Sequence, residues 1–124
     1  MRIFKTKPFA RFADYQGIDD RALCDAVERA ERGLVDADLG GGVIKQRIAR
    51  KGQGKSGGFR SIVLFRRGEL SFFVYGFAKS ARGNIRKDEL AAFRALAGEM
   101  LGLGEAALEA AMANGTIIEV TCDG

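Results

Sequence analysis

The stretch from Phe59 to Ala78 constrains the fold most. Phe59, Ser61, Val63 and Phe65 alternate with Arg60, Ile62, Leu64 and Arg66, which is the period of two of a strand. Arg67-Gly68-Glu69 then leads into a second apolar run, Leu70 to Ala78. So short a connection between two strands requires an antiparallel hairpin. The second run is apolar on both faces, which predicts a central place in a sheet. Val43 to Ala49 adds a further strand, with Ile44 and Ile48 on one face and Val43, Lys45 and Arg47 on the other. The chain must therefore be built around a local antiparallel meander.

Helical periods flank the meander. Asp19 or Asp20 can cap a helix whose apolar stripe is Leu23, Ala26, Val27 and Ala30, with Gly33 as its stop. After the meander, Asn84 is the expected cap of a helix with Leu90, Phe93, Ala97, Met100 and Leu101 on one face. Asp88 and Glu89 fall in its first turn, where the helix dipole favours acids. A shorter alanine-rich helix is expected from Leu103 to Ala113, then a last strand from Thr116 to Thr121. At the start, Ile3 and Phe4 suit a short strand that Pro8 should end. Leu34 to Gly42, closing on three glycines, reads as a connector. The order β–α–β–β–β–α–α–β predicts an α+β fold, and 124 residues suit one domain over 1–124.

Composition narrows the chemistry. There is no histidine, so Ser-His-Asp and Cys-His catalysis are excluded, and so is histidine-based zinc chemistry. A general acid or base must be Lys, Tyr, Asp, Glu or Cys. Cys24 and Cys122, near opposite ends, read as neither a disulfide framework nor a metal site. Cys24 is expected as a small core residue in a reduced, cytoplasmic protein. No apolar run approaches the roughly 20 residues of a membrane span, and the basic N-terminus lacks the apolar core of a secretory signal. Gly54-Lys55-Ser56 carries the letters of a P-loop, but Ala49 stands where its first glycine should be. No metal or cofactor is expected.

Charge is unevenly spread. Residues 43–87 hold twelve Lys and Arg against the single acid Glu69, whereas residues 88–124 hold seven acids against Arg94 alone. Surfaces that merely solvate a fold mix both signs, so the central block points to phosphate. Lys45 and Arg47 lie about two residue rises apart on one strand face. The loop Arg50 to Gly58 is basic and glycine-rich, which lets backbone N–H groups approach a ligand. Arg50, Lys51 and Lys55 there, with Arg82, are candidate nucleic-acid contacts. Tyr75 and Phe77 are candidates for stacking on bases, a contact worth about 1–3 kcal/mol, although aromatic residues in such a strand more often belong to the core.

The segment from Gly42 to Leu90 resembles the RelE/ParE toxin superfamily, and within it the RelE/HigB-type toxins of bacterial type II toxin–antitoxin systems. The residues concerned are Val43-Ile44-Lys45-Gln46-Arg47-Ile48, the glycine-rich loop with Phe59-Arg60, and Val74-Tyr75-Gly76-Phe77-Ala78-Lys79. The resemblance implies an antiparallel sheet backed by N-terminal and C-terminal helices. It implies a ribosome-dependent mRNA endonuclease that needs no metal, because the RNA 2′-hydroxyl attacks the adjacent phosphate. It implies a neutralising antitoxin, typically a helix-turn-helix protein, and the ribosome with its mRNA as target. Carried over, the catalytic residues are Lys45, Arg47, Arg60 and Lys79, with Lys45 beside Arg47 as candidate base and Arg60 and Lys79 as ligands of the scissile phosphate, arginine being favoured for bidentate contact. Two positions depart from the family's pattern: Ser80 replaces an arginine after Lys79, and no tyrosine follows among Asn84, Ile85 and Arg86. Arg82 or Arg86 could replace the arginine, and Tyr75 could act from another strand. A ParE-like toxin acting on gyrase and a non-catalytic RNA-binding module are the alternatives.

Overall fold

The computed structural model describes residues 1–49 and 58–122. Its elements run β1 (Arg2–Thr6), α1 (Lys7–Gln16), α2 (Asp20–Glu31), β2 (Ala37–Gly40), β3 (Val43–Ile48), β4 (Phe59–Arg66), β5 (Leu70–Ala78), α3 (Lys87–Met100), α4 (Glu105–Ala113) and β6 (Ile117–Glu119). The six strands form one sheet in the order β2-β3-β4-β5-β1-β6. The meander β3-β4-β5 is antiparallel as expected, and β1 alone pairs in parallel, with β5. The α+β class expected from the sequence is the class observed.

Helices cover both faces of the sheet. The first face buries Ile44, Ile48, Phe59, Val63 and Phe73 against Phe9 and Ala13 of α1 and Leu23, Ala26, Val27 and Ala30 of α2. The second buries Val43, Ile62, Leu64, Leu70 and Phe72 against Ala97 of α3, Leu101 at its C-terminal cap and Leu108 of α4. The alternation read along β3 and β4 thus sorts their side chains correctly. In β5 it breaks. Ile62 pairs with Tyr75 but Val63 with Phe73, so Val74 is an extra residue. Such a bulge shifts the side-chain phase, and Tyr75 joins the face of Phe72.

Two elements are additions to the expected set. The strand at Ile3 does end before Pro8, but Pro8 opens α1, where its missing N–H costs nothing. Thr6 caps this helix by accepting from the Phe9 N–H, and Gly17 closes it at φ 71°. The stretch read as a connector contains β2, whose turn into β3 is Gly40-Gly41-Gly42, all at positive φ. Side chains there would meet Arg94 and Leu101, so glycine serves both the turn and the close approach. The cap of α3 is Arg86 rather than Asn84. Glu89 reaches back to the Arg86 N–H at 2.7 Å, while Asn84 accepts from Ile85.

The cysteines correct a further expectation. Cys24 and Cys122 form a disulfide with Cα atoms 5.7 Å apart, across 98 residues of sequence. Separation along the chain concealed the pairing, because β6 returns beside β1 and brings the C-terminal segment onto α2. Val120 N–H donates to Ile3 O, and Thr121 N–H to Asp20, which also pairs with Lys5. No helix among the described residues is long and apolar enough to cross a membrane.

Two outcomes follow for stability. A Cβ on Gly76 would lie 2.3 Å from the Phe12 ring. Gly76→Ala should therefore cost about 1–3 kcal/mol by overpacking, read as a lower denaturant midpoint. Because the disulfide closes so long a loop, Cys122→Ser should lower the unfolding free energy by about 2–4 kcal/mol under oxidising conditions. With reductant present, the variant and the parent should unfold together.

Candidate active site

Cross-strand register collects the basic residues. On the second face the rows across β3, β4 and β5 run Val43–Leu64–Phe72, then Lys45–Ile62–Tyr75, then Arg47–Arg60–Phe77. The first row is wholly buried under α3, and polarity rises towards the end of the sheet. Lys45 and Arg60 stand on adjacent strands and converge on one atom. Asp36 Oδ2 lies 3.3 Å from Arg60 Nε and 3.8 Å from Lys45 Nζ. Both cationic side chains are mostly buried, at 17% and 15% exposed, so the pairing is less screened than at an open surface.

Asp36 is held by a residue from the opposite face. Gln46, between Lys45 and Arg47, points into the first core and is 1% exposed. Its Nε2 donates to Ala26 O at 2.8 Å and Leu34 O at 3.0 Å, and its Oε1 accepts from the Asp36 N–H at 3.0 Å. A buried amide satisfied on this scale fixes its neighbours in place. Ser61, beside it in β4, donates to Gln46 O at 2.9 Å.

A second polar group borders the Lys45 row. Arg82 donates to Tyr75 Oη at 3.0 Å and forms a two-pronged pair with Glu89 at 2.6 and 3.2 Å. Its guanidinium lies 5.7 Å from the ring centres of both Tyr75 and Phe77. The hydrogen bonds from Arg82 and from the Arg86 backbone hold the Glu89 carboxyl down at about 2. The same bonds to Glu89 and Tyr75 push the Arg82 guanidinium up.

The residues singled out in the sequence are thus placed as follows. Lys45, Arg60, Tyr75 and Arg82 gather on one face. Arg47 shares a row with Arg60 but also lines a groove of about 800 Å³ against α2, with Ile18, Arg29, Arg32 and Phe59. Phe77 is buried, at 4% exposed, which leaves Tyr75 as the more accessible ring. Lys79 is exposed in the turn after β5. Arg50, Lys51 and Lys55 lie outside the described residues. Asp36, Gln46 and Glu89 were not anticipated. Of these only Gln46 carried a signal, as a polar residue in phase with Ile44 and Ile48. Among the described residues no three His, Cys, Asp or Glu side chains cluster as a metal site would.

Comparison with known families agrees with this layout. The model of the RelE toxin of the RelE/RelB toxin–antitoxin system matches residues 1–120. The chain belongs to the RelE toxin family. It is a toxin component of a toxin–antitoxin system, and its family implies an antitoxin partner. No curated protein matches the chain.

The Arg82–Glu89 pair has a pH signature. A carboxyl held below its ordinary 4.5 contributes stability that is complete above that value and is lost as pH falls through about 2. Carbon-13 NMR titration should find the Glu89 midpoint near 2, and Arg82→Ala should return it towards 4.5.

Proposed function

We propose that this toxin is a ribosome-dependent mRNA endonuclease that inhibits translation, acting through the cationic end of its sheet. The observation that carries the reading is the convergence of Lys45 Nζ and Arg60 Nε on a single carboxylate oxygen. Two cations from adjacent strands that converge on one oxygen form an anion site, and in RNA the anion is the scissile phosphate. Asp36 occupies the Nε edge of Arg60. The terminal guanidinium nitrogens are then the donors for phosphate oxygens.

Cleavage by the 2′-hydroxyl needs three things. A base takes the 2′-proton as the oxygen attacks phosphorus. Positive charge stabilises the phosphorane dianion. A proton reaches the leaving 5′-oxygen, so the products carry a 2′,3′-cyclic phosphate and a 5′-hydroxyl. Arg60 and Lys79 fit the second task, with Arg47 adding charge from the same row, and Lys45 fits the first once its ammonium, here paired with Asp36, has given up a proton. Tyr75 fits the third. Its oxygen accepts from Arg82, so its own proton remains to be given. Tyr75 also offers a ring for a base to stack on, with Arg82 completing that wall, while buried Phe77 supports both from beneath.

The basic loop residues Arg50, Lys51 and Lys55 extend the reading to contacts with mRNA or ribosome. The antitoxin, of helix-turn-helix type by resemblance to HigB systems, would neutralise the toxin. The site of action is the cytoplasm.

Controlled expression in a bacterial host, with mapping of mRNA 5′ ends, tests the proposal. Growth arrest should come with new cuts at in-frame codon positions. Lys45→Ala and Arg60→Ala should each lower cleavage by about 100- to 1,000-fold, the usual cost of removing one preorganised electrostatic contact. Arrest without cuts would overturn the endonuclease in favour of a protein target. Soluble expression with neither would leave an RNA-binding module.

A further inference from the structure

We infer that Asp36 is a positioning residue for the Lys45–Arg60 pair, set in place by Gln46; the inference rests on the endonuclease reading for its catalytic consequence. Nothing about Asp36 in the sequence marks it out. It is one acid in the stretch that joins α2 to β2. The structure makes it the one carboxylate, among the described residues, that bridges two of the cations assigned to the site.

The arrangement spans both faces of β3. Lys45 faces the site and Gln46 faces the first core. The connection from α2 passes the core side of the strand, where Gln46 grips it at Leu34 O and at the Asp36 N–H. One residue later, Ala37 pairs with Lys45 as β2 begins. Asp36 is therefore fixed at its backbone by a buried amide and at its side chain by two cations. Gln46 is bonded in turn to Ala26 O in α2, so the helix, the connection and the catalytic strand are joined through one side chain.

Two physical effects then oppose each other. Lys and Arg side chains have many rotamers, and a shared carboxylate restricts them before substrate arrives. The same negative charge repels an incoming phosphate. A positioning carboxylate should thus favour turnover at some expense of binding. Removing its charge should lower kcat without raising KM. A residue that only supports the fold would change neither parameter in the molecules that remain folded. A carboxylate that merely blocks the site would, when removed, lower KM and leave kcat unchanged or higher.

Asp36→Asn keeps the shape and removes the charge. Ribosome-dependent cleavage of a defined mRNA should show kcat reduced about ten- to a hundredfold, with KM equal to or below that of the parent. Asp36→Glu should recover part of the loss. Unchanged kcat in Asp36→Asn would overturn the inference. A second measurement needs no cleavage. In nitrogen-15-labelled protein the Arg60 Nε–H should exchange with solvent measurably faster in Asp36→Asn than in the parent, since the charge of the carboxylate 3.3 Å from Nε, which restrains that edge of the guanidinium, is lost. Equal exchange rates would overturn the positioning. Faster exchange in a toxin whose parent cuts no mRNA would support the positioning and reject the endonuclease reading, so the two failures are distinct.

Discussion

A sheet covered by helices on both faces leaves few places for charge. β3, β4 and β5 bury side chains in two separate cores, one under α1 and α2 and one under α3 and α4. Polar residues within these strands are mostly satisfied locally or lie where the covering ends; Ser71 of β5, buried with no hydrogen-bond partner for its Oγ among the described residues, is an exception. Gln46 and Ser61 take the first course, through hydrogen bonds that consume their polar atoms. Lys45 and Arg60 take the second, in the rows beyond the fully buried Val43–Leu64–Phe72. Two-sided burial thus concentrates the cations at one end of the sheet.

The bulge at Val74 completes that concentration. With unbroken alternation Tyr75 would share the face of Phe73 and lie under α1. The extra residue turns it to the face of Phe72, where it meets Phe93 of α3 at a ring separation of 6.0 Å and receives a hydrogen bond from Arg82. Glu89 of α3 then fixes Arg82. The acidic C-terminal third of the chain is consequently more than a solvated surface. It supplies Glu89 to the border of the site, and Glu105 and Glu119 to Arg2 at the other side of the sheet.

Membership of the RelE toxin family joins this geometry to a toxin's task. The departures from the family's pattern, Ser80 after Lys79 and no tyrosine before α3, sit near a group that offers the same chemical functions from other positions. Arg82 brings a guanidinium and Tyr75 a phenol, already bonded to each other. Whether a given function can move along a chain depends on the register and bulges that bring strands together, and these are properties of the sheet.

The sequence by itself determined the meander, because alternation and a short turn admit one pairing. It determined α2 and α3, because their apolar stripes recur at the helical period. It determined the cationic character of the centre, because charge needs no folding to be counted. Helix α1 is readable in part: Thr6, Pro8 and Gly17 are start and stop signals, and the proline that stops β1 also suits the first turn of the helix. Other features belonged to tertiary structure alone. The Val74 bulge depends on how β4 and β5 lie against two cores at once, and local pattern records only one phase. Asp36 meets Lys45 and Arg60 because Gln46 holds the connection from the far side of β3. Cys24 meets Cys122 because β6 adds to β1 and carries the end of the chain onto α2. In each case only the assembled sheet brings the partners within reach.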